Sequence, residues 1–265
     1  MNNLFDLSGK TAIVTGGSRG IGRAICIRLA QHGAKVVVAS RKLDACQAVV
    51  DEITANGGTA NGGTAMAHAA SISRKEDLQG LVDATIAAWG KVDILVCNAA
   101  LNPYFGPSQE ISDEAYDRIM NGNVRSNLWL SQMVIPAMAA RGEGSVIFIS
   151  SIGGFRGSPM LGIYGVSKAA DMQLARALAT EWGPRGVRVN SIAPGLVRTD
   201  FARALWEDAA NLKKRTRDSP LQRIGEPDEI AGAAVFLASA ASGFMTGQSM
   251  VIDGGVLAGP PRVED

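Results

Sequence analysis

Histidine is nearly absent: the 265 residues contain two, His32 and His68, far apart along the chain. A His-based metal site or a Ser-His-Asp triad therefore has almost nothing to be built from, which removes most hydrolase chemistries. The three cysteines, Cys26, Cys46 and Cys97, are odd in number and form no Cys-x-x-Cys. That pattern argues against a disulfide framework and a zinc knuckle, and for buried free thiols. Neither sign of charge is in excess, since 26 Lys plus Arg face 25 Asp plus Glu and leave a net +1. Such a balance offers no field to draw nucleic acid or an anionic membrane. No apolar run approaches the ~18 residues that span a bilayer. Met1 to Ser8 lacks a basic region followed by an apolar stretch, so a cytoplasmic location is expected.

What is present is 46% hydrophobic residues and 31 glycines, with only 5% aromatics. This is a globular composition with many tight turns. Short β-branched runs alternate with helical patterns along the chain: Thr11 to Thr15, Lys35 to Ser40, Thr64 to Ala70, Ile94 to Asn98, Ser145 to Ser150, Val187 to Ala193 and Ser249 to Asp253. The pattern predicts an α/β chain, a Rossmann-type doubly wound domain with a seven-stranded parallel sheet. Ala12-Ile13-Val14, Val36-Val37-Val38 and Val146-Ile147-Phe148-Ile149 are continuously apolar, as strands covered on both faces should be. No linker interrupts them, so residues 1–265 are expected to form one catalytic domain, with 256–265 as a short tail. Ala55-Asn56-Gly57-Gly58-Thr59 is followed at once by a copy, Ala60 to Thr64. Two glycines and an asparagine per copy suit neither helix nor strand, which places the repeat in a surface loop before the third strand, as a spacer.

Thr15-Gly16-Gly17-Ser18-Arg19-Gly20-Ile21-Gly22 lies between a buried strand and a helix in which Ile21, Ala24, Ile25 and Leu29 recur at helical spacing. Glycines there let the backbone approach a pyrophosphate, and the helix N-terminus offers free N–H groups. About 20 residues on, where the adenosine ribose is met, stand Ser40 and Arg41 instead of an acid. A hydroxyl beside a guanidinium favours a 2′-phosphate through charge-assisted hydrogen bonds, and Arg19 offers a second cation. NADP is thus expected over NAD, which stays possible. Arg41 and Lys42 also read as the solvated start of a helix.

Tyr164 and Lys168 are four apart in a helical segment and project from one face. An ammonium beside a phenol favours the phenolate and lowers its pKa, which makes Tyr164 a proton donor to a carbonyl or acceptor from an alcohol. Ser150 and Ser151 end the fifth strand at the sheet's carboxyl edge, where such folds bind ligands. A hydroxyl there holds a substrate oxygen or caps the turn into Gly153-Gly154.

In order and spacing, the glycine loop, Asn98-Ala99-Ala100, Asn123, Ser151, Tyr164 with Lys168, Pro194-Gly195 with Thr199, Arg223-x-Gly225-x-Pro227 and Asp253-Gly254-Gly255 resemble the short-chain dehydrogenase/reductases of the classical type. The resemblance runs from about Leu7 to Gly255. It implies a catalytic tetrad of Asn123, Ser151, Tyr164 and Lys168. Tyr164 would protonate the carbonyl oxygen as hydride arrives from the nicotinamide, and Ser151 would position that oxygen. Lys168 would hold the nicotinamide ribose and lower the Tyr164 pKa, with Asn123 supporting a water that leads to Lys168. It further implies cofactor contacts from Gly16, Ser18, Arg19, Gly20, Ile21, Gly22, Ser40, Arg41, Ser71, Ile72, Asn98, Pro194, Gly195, Val197 and Thr199, and a homotetramer. Two departures stand out: Cys97-Asn98-Ala99-Ala100 replaces Asn-Asn-Ala-Gly, and Ser71 replaces the acid that meets the adenine amino group.

Leu101, Asn102, Pro103, Tyr104, Phe155, Leu161, Phe201, Leu205 and Trp206 fall in the segments that close the pocket in this fold. Their apolar and aromatic character suits a medium-sized ketone, aldehyde or secondary alcohol, and they also read as side chains packing on one another in a closed lid. The stretches 98–106 and 193–206 are similar to the branch containing the NADP-dependent retinol dehydrogenase/carbonyl reductases, whose peroxisomal ending is replaced here by Val263-Glu264-Asp265. Lys213, Lys214, Arg215 and Arg217 read as a solvated helix face, or as a contact for an acyl-carrier protein or coenzyme A phosphate. The alternatives are therefore a 3-oxoacyl thioester reductase, an NAD-dependent sugar or alcohol dehydrogenase, and a non-catalytic nucleotide sensor.

Overall fold

The computed structural model describes residues 3–55, 64–217 and 219–260. Its seven strands are β1 (Thr11–Thr15), β2 (Lys35–Ser40), β3 (Ala65–Ala69), β4 (Ile94–Cys97), β5 (Gly144–Ile149), β6 (Val187–Pro194) and β7 (Ser249–Ile252). Each falls within a residue of the run that predicts it. All pair in parallel, in the order β3-β2-β1-β4-β5-β6-β7. The direction of winding reverses between β1 and β4, so the crevice outside the carboxyl ends of these two strands is the natural ligand site.

The continuously apolar strands are explained by two layers of helices. Successive residues point to opposite faces of a strand. Ala12, Val14, Val36, Val38, Ile94 and Val96 pack toward α1 (Gly20–Gln31), α2 (Leu43–Ala55) and α9 (Pro227–Ala238). Ile13, Val37, Leu95, Val146 and Phe148 pack on the other side toward α3 (Lys75–Trp89), α5 (Ser126–Arg141) and α6 (Gly162–Trp182). The edge strand β7 lacks this double cover and is only half buried. Between α3 and α5 the chain forms α4 (Asp113–Met120), which runs into α5 through a π-helical turn, Asn121–Arg125. After β6 come the short α7 (Arg203–Trp206) and α8 (Ala209–Arg217).

All three cysteines are free and buried, and burial pushes the Cys26 thiol well above its usual range. His32 bonds through Nδ1 to Phe5 O at 3.1 Å, and His68 lies within β3, where burial lowers its pKa. Of the duplicated Ala-Asn-Gly-Gly-Thr, only Ala55, which ends α2, and Thr64, whose carbonyl accepts from Val36 N at 2.8 Å, are described. The remainder of the repeat, 56–63, lies outside the described residues, as does the tail beyond 260. Among the described residues no helix is long and apolar enough to cross a membrane.

Phe148, fully buried at the centre of the second layer, gives a test of this packing. Phe148→Ala is expected to lose about 3–5 kcal/mol, read from the urea midpoint; an unshifted midpoint contradicts the two-layer core.

Candidate active site

The glycine loop turns sharply after β1. Gly16 and Gly20 lie at φ +66° and +54°, a left-handed region that side chains disfavour. A Cβ on Gly22 would clash with Gly16 O and Asn98 Nδ2, so the loop closes on itself only because that atom is missing. Arg19, at the N-cap of α1, makes no capping side-chain hydrogen bond, and the first turn carries no acid. The first-turn N–H groups and the positive end of the helix dipole are thus left for an anion. Asn98 holds the loop from β4: its Nδ2 donates to Thr15 O at 3.0 Å and Gly16 O at 3.1 Å. Thr15 Oγ1 in turn accepts from the N–H groups of Asn98 and Ala99 at 3.1 and 3.2 Å. The segment after β6 closes the other side. Gly195 N donates to Ile252 O at 2.9 Å, Val197 bridges to Gly225, and the Thr199 methyl lies 3.1 Å from where a Cβ on Gly20 would stand.

At the end of β2 the Ser40 hydroxyl lies 3.0 Å from Cys46 Sγ, turned to α2. Arg41 and Arg19 are exposed and have no ion-pair partner among the described residues. Ser71 and Ile72 follow β3. There Ser71 N donates to Asp77 Oδ2 at 2.9 Å, so an acid six residues later pins this turn.

Tyr164, Ser167, Lys168 and Asp171 line one face of α6 toward the carboxyl end of β5. The ring of Tyr164 lies 5.8 Å from Lys168 Nζ. Lys168 is only 2% exposed and donates to Ile149 O at 2.9 Å and to Asp171 Oδ2 at 3.0 Å. Asn123, buried in the π turn, accepts from Leu101 N at 2.7 Å and donates to Leu101 O and Ser167 Oγ, each at 3.0 Å. Ser167 Oγ donates to Tyr164 O at 2.7 Å. The serine pair divides its tasks. Ser150 Oγ points inward and donates to Lys168 O at 2.7 Å, whereas half-buried Ser151 accepts from Gly153 N at 3.0 Å and caps that turn.

The electrostatics correct one expectation. Burial pushes the Tyr164 phenol up, Lys168 pulls it down, and Asp171 pushes it up again; the net is above the usual value, not below it. The ammonium that lowers the phenol is itself offset by a neighbouring carboxylate. Lys168 loses stability as a cation through burial, but Asp171 and Tyr164 together hold its pKa above the ordinary lysine value.

Tyr164 borders a tightly closed recess with Asn102, Tyr104, Ile119, Met160 and Leu161, which leaves no free space for a water molecule. Asn102 Oδ1 is buried there without a hydrogen-bond partner among the described residues. Phe201, 54% exposed, has its ring 6.2 Å from that of Tyr164. Trp206 goes elsewhere: its Nε1 donates to Thr199 O at 3.1 Å, its ring stacks under Arg198, and it lines a separate groove beside Gly20 and Arg23. Lys213, Arg215 and Arg217 are exposed on α8, as a solvated face. Sequence reasoning missed Asp171 and Asn127, whose Nδ2 donates to Asp171 Oδ1 at 2.9 Å. A buried Asp three residues after a buried Lys is a signal that an acid was needed, but burial is not visible in the sequence. Among the described residues no group of three or more His, Cys, Asp or Glu could hold a metal ion.

Residues 16–257 match the family model described as enoyl-(acyl carrier protein) reductase. Dehydrogenase/reductase SDR family member 4 of Bos taurus is 41% identical over 251 residues, which cover 95% of this chain and 88% of that protein. The 7α-hydroxysteroid dehydrogenase solved with NADH and 7-oxo glycochenodeoxycholic acid superposes with a TM-score of 0.89 at 36% identity, over 100% of both chains. A candidate NAD(P)-dependent gluconate 5-dehydrogenase from Beutenbergia cavernae, solved with NADP at low occupancy, also gives 0.89, at 37% identity over 97% of this chain and 100% of that one. With the glycine loop, the Tyr164–Lys168 pair and a parallel sheet that switches direction at β1 and β4, these likenesses lead to one conclusion: the chain belongs to the short-chain dehydrogenase/reductase family of oxidoreductases.

Proposed function

We propose that this oxidoreductase is an NADP(H)-dependent carbonyl reductase or secondary-alcohol dehydrogenase for medium-sized, largely apolar substrates, built as a single catalytic domain. The observation that carries the reading is Tyr164 at the edge of the recess with the buried Lys168 ammonium behind it. A bound reduced nicotinamide would supply the hydride that reaches the carbonyl carbon. Tyr164 then gives its phenolic proton to the carbonyl oxygen, and in the reverse direction takes the alcohol proton. Ser151 orients that oxygen, Lys168 holds the ribose with its remaining N–H, and Asn123 keeps the Leu101 and Ser167 segments in register beside Tyr164. The loop from Gly16 to Gly22, with Ser18 and Ile21, would hold the pyrophosphate, and Pro194, Gly195, Val197 and Thr199 would meet the nicotinamide part. Ser71 and Ile72 would border the adenine, and Asn98 fixes the loop.

Preference for NADP rests on the absence of an acid at the end of β2 and on the exposed Arg41 and Arg19. NADH bound by one similar structure and NADP by another make this a property to measure on the chain itself. A homotetramer fits the half-covered edge strand β7, where Val251 is exposed, and the neighbouring bare Phe244. A second reading, a 3-oxoacyl thioester reductase, is favoured by exposed Lys213 and Arg215.

A paired NADPH and NADP⁺ screen over diketones, aromatic ketones, retinoids, sugars and 3-oxoacyl thioesters tests these readings; cofactor binding without turnover of any of them points to a nucleotide sensor. In the active assay, Tyr164→Phe is expected to keep NADPH binding and to cut kcat by at least ~100-fold, the scale of general acid catalysis. Wild-type turnover in that variant removes Tyr164 from the chemistry. Arg41→Ala is expected to raise the KM for NADPH roughly tenfold to hundredfold, as loss of a charge-assisted bond implies, while leaving that for NADH unchanged. An unaltered preference between the two transfers the phosphate contact to Arg19 or makes NAD the cofactor.

A further inference from the structure

Lys168 and Asp171 form an ion pair with 2% and 0% side-chain exposure. Two of the three N–H groups of Lys168 are committed, one to Ile149 O and one to Asp171 Oδ2. The other carboxylate oxygen of Asp171 accepts from Asn127 Nδ2 at 2.9 Å, and Asn127 is itself buried on α5. Both oxygens of the acid are thus satisfied, one from its own helix and one from the helix packed beside it. A carboxylate has no reason to be buried here except as the partner of a cation, because an unpaired ion in this interior is strongly unfavourable.

We propose that Asp171, oriented by Asn127, is a positioning residue and counter-charge for Lys168, and that this pair sets the pH at which Tyr164 exchanges its proton. The inference rests on Tyr164 acting as the acid-base group. Asp171 does its work in two ways. It fixes the lysine rotamer, leaving a single N–H to be used outside the pair. It also cancels much of the field that the ammonium exerts on the phenol, which keeps the proton on Tyr164 and favours donation to a carbonyl. The titratable or polar groups that face the pair come from every element around it: Tyr164 on α6, Cys97 on β4, the neutral Asn127 on α5 and the Ile149 carbonyl of β5. Burial pushes the Cys97 thiol far up, so it stays neutral in the working range.

The sign of the effect follows. Alcohol oxidation needs the phenolate, so its rate falls on the acidic side of the Tyr164 pKa. Asp171 raises that pKa; removing its charge leaves the Lys168 ammonium unopposed and lowers it. A unit charge several ångströms away at an effective dielectric of about 20 moves a pKa by roughly one to two units.

The test is the pH profile of kcat/KM for oxidation of a secondary alcohol found in the screen, for the wild type, Asp171→Asn and the charge-swapped Asn127→Asp/Asp171→Asn. The double variant keeps one carboxylate and one amide in the same buried site, so it guards against a single variant that fails to fold. In Asp171→Asn the acidic limb is expected to move to lower pH by roughly one to two units, and in the swap by less, with binding of NADPH followed by protein fluorescence to verify the fold. An acidic limb within a few tenths of a unit of wild type in Asp171→Asn, a limb moved to higher pH, or, where only the swap folds, a swap limb moved down by a full unit or more, overturns the proposal even if kcat drops. Absence of turnover in the wild type, or full activity of Tyr164→Phe, overturns the functional reading instead.

Discussion

A lysine ammonium placed almost wholly out of water constrains everything around it. Taking such a charge inside costs several kcal/mol even after relaxation, and Lys168 recovers this from Ile149 O and from the Asp171 carboxylate. These partners belong to β5 and α6, and Asn127 brings in α5. One charge therefore ties the centre of the sheet to two helices of the same layer. The tie needs α6 to come close to the turn after β5. Glycines allow this: a Cβ on Gly154 would stand 2.8 Å from Ala169 N, and one on Gly165 would stand 2.6 Å from Gly153 O. The Ser150 hydroxyl then closes the seam on the Lys168 carbonyl.

The cofactor side depends on a second seam, at the point where the sheet changes direction. Asn98, which the family resemblance implies as a nucleotide contact, spends its amide on the Thr15 and Gly16 carbonyls. Its first effect is mechanical: it holds the glycine loop at the carboxyl end of β4, so that two strands adjacent in the sheet but distant in the chain move as one. Change of Gly to Ala at position 100 in the Cys97-Asn98-Ala99-Ala100 sequence leaves these bonds in place, since they use the Asn98 side chain and the N–H groups of Asn98 and Ala99. At Ser71 the turn after β3 is held by Asp77, whose carboxylate accepts from the Ser71 N–H from the start of α3.

The aromatic side chains of the segments after β4, β5 and β6 differ in what they touch. Phe105, Phe155 and Phe201 are exposed, while Trp206, expected in the pocket lining, is drawn away by its bond to Thr199 O and its stacking under Arg198. The ring that lies beside Tyr164 is that of Phe201.

The strands, their parallel pairing, the glycine loop and the Tyr164–Lys168 spacing are legible in the sequence because each is a local pattern: an unbroken apolar run, a cluster without Cβ atoms, two side chains one helical turn apart. The sequence by itself also excludes a disulfide framework through its cysteine spacing. Packing decided the rest. Asn127 and Asp171 meet across 44 positions, Ser150 turns inward while Ser151 does not, and Asn123 sits in a π turn that no hydrophobic period announces. Even the direction of the Tyr164 pKa reverses, because the adjacent lysine is a local fact whereas burial and the opposing carboxylate are not. A sequence records which side chains are near along the chain; the field at a phenol depends on which are near in space and on how much water has been removed.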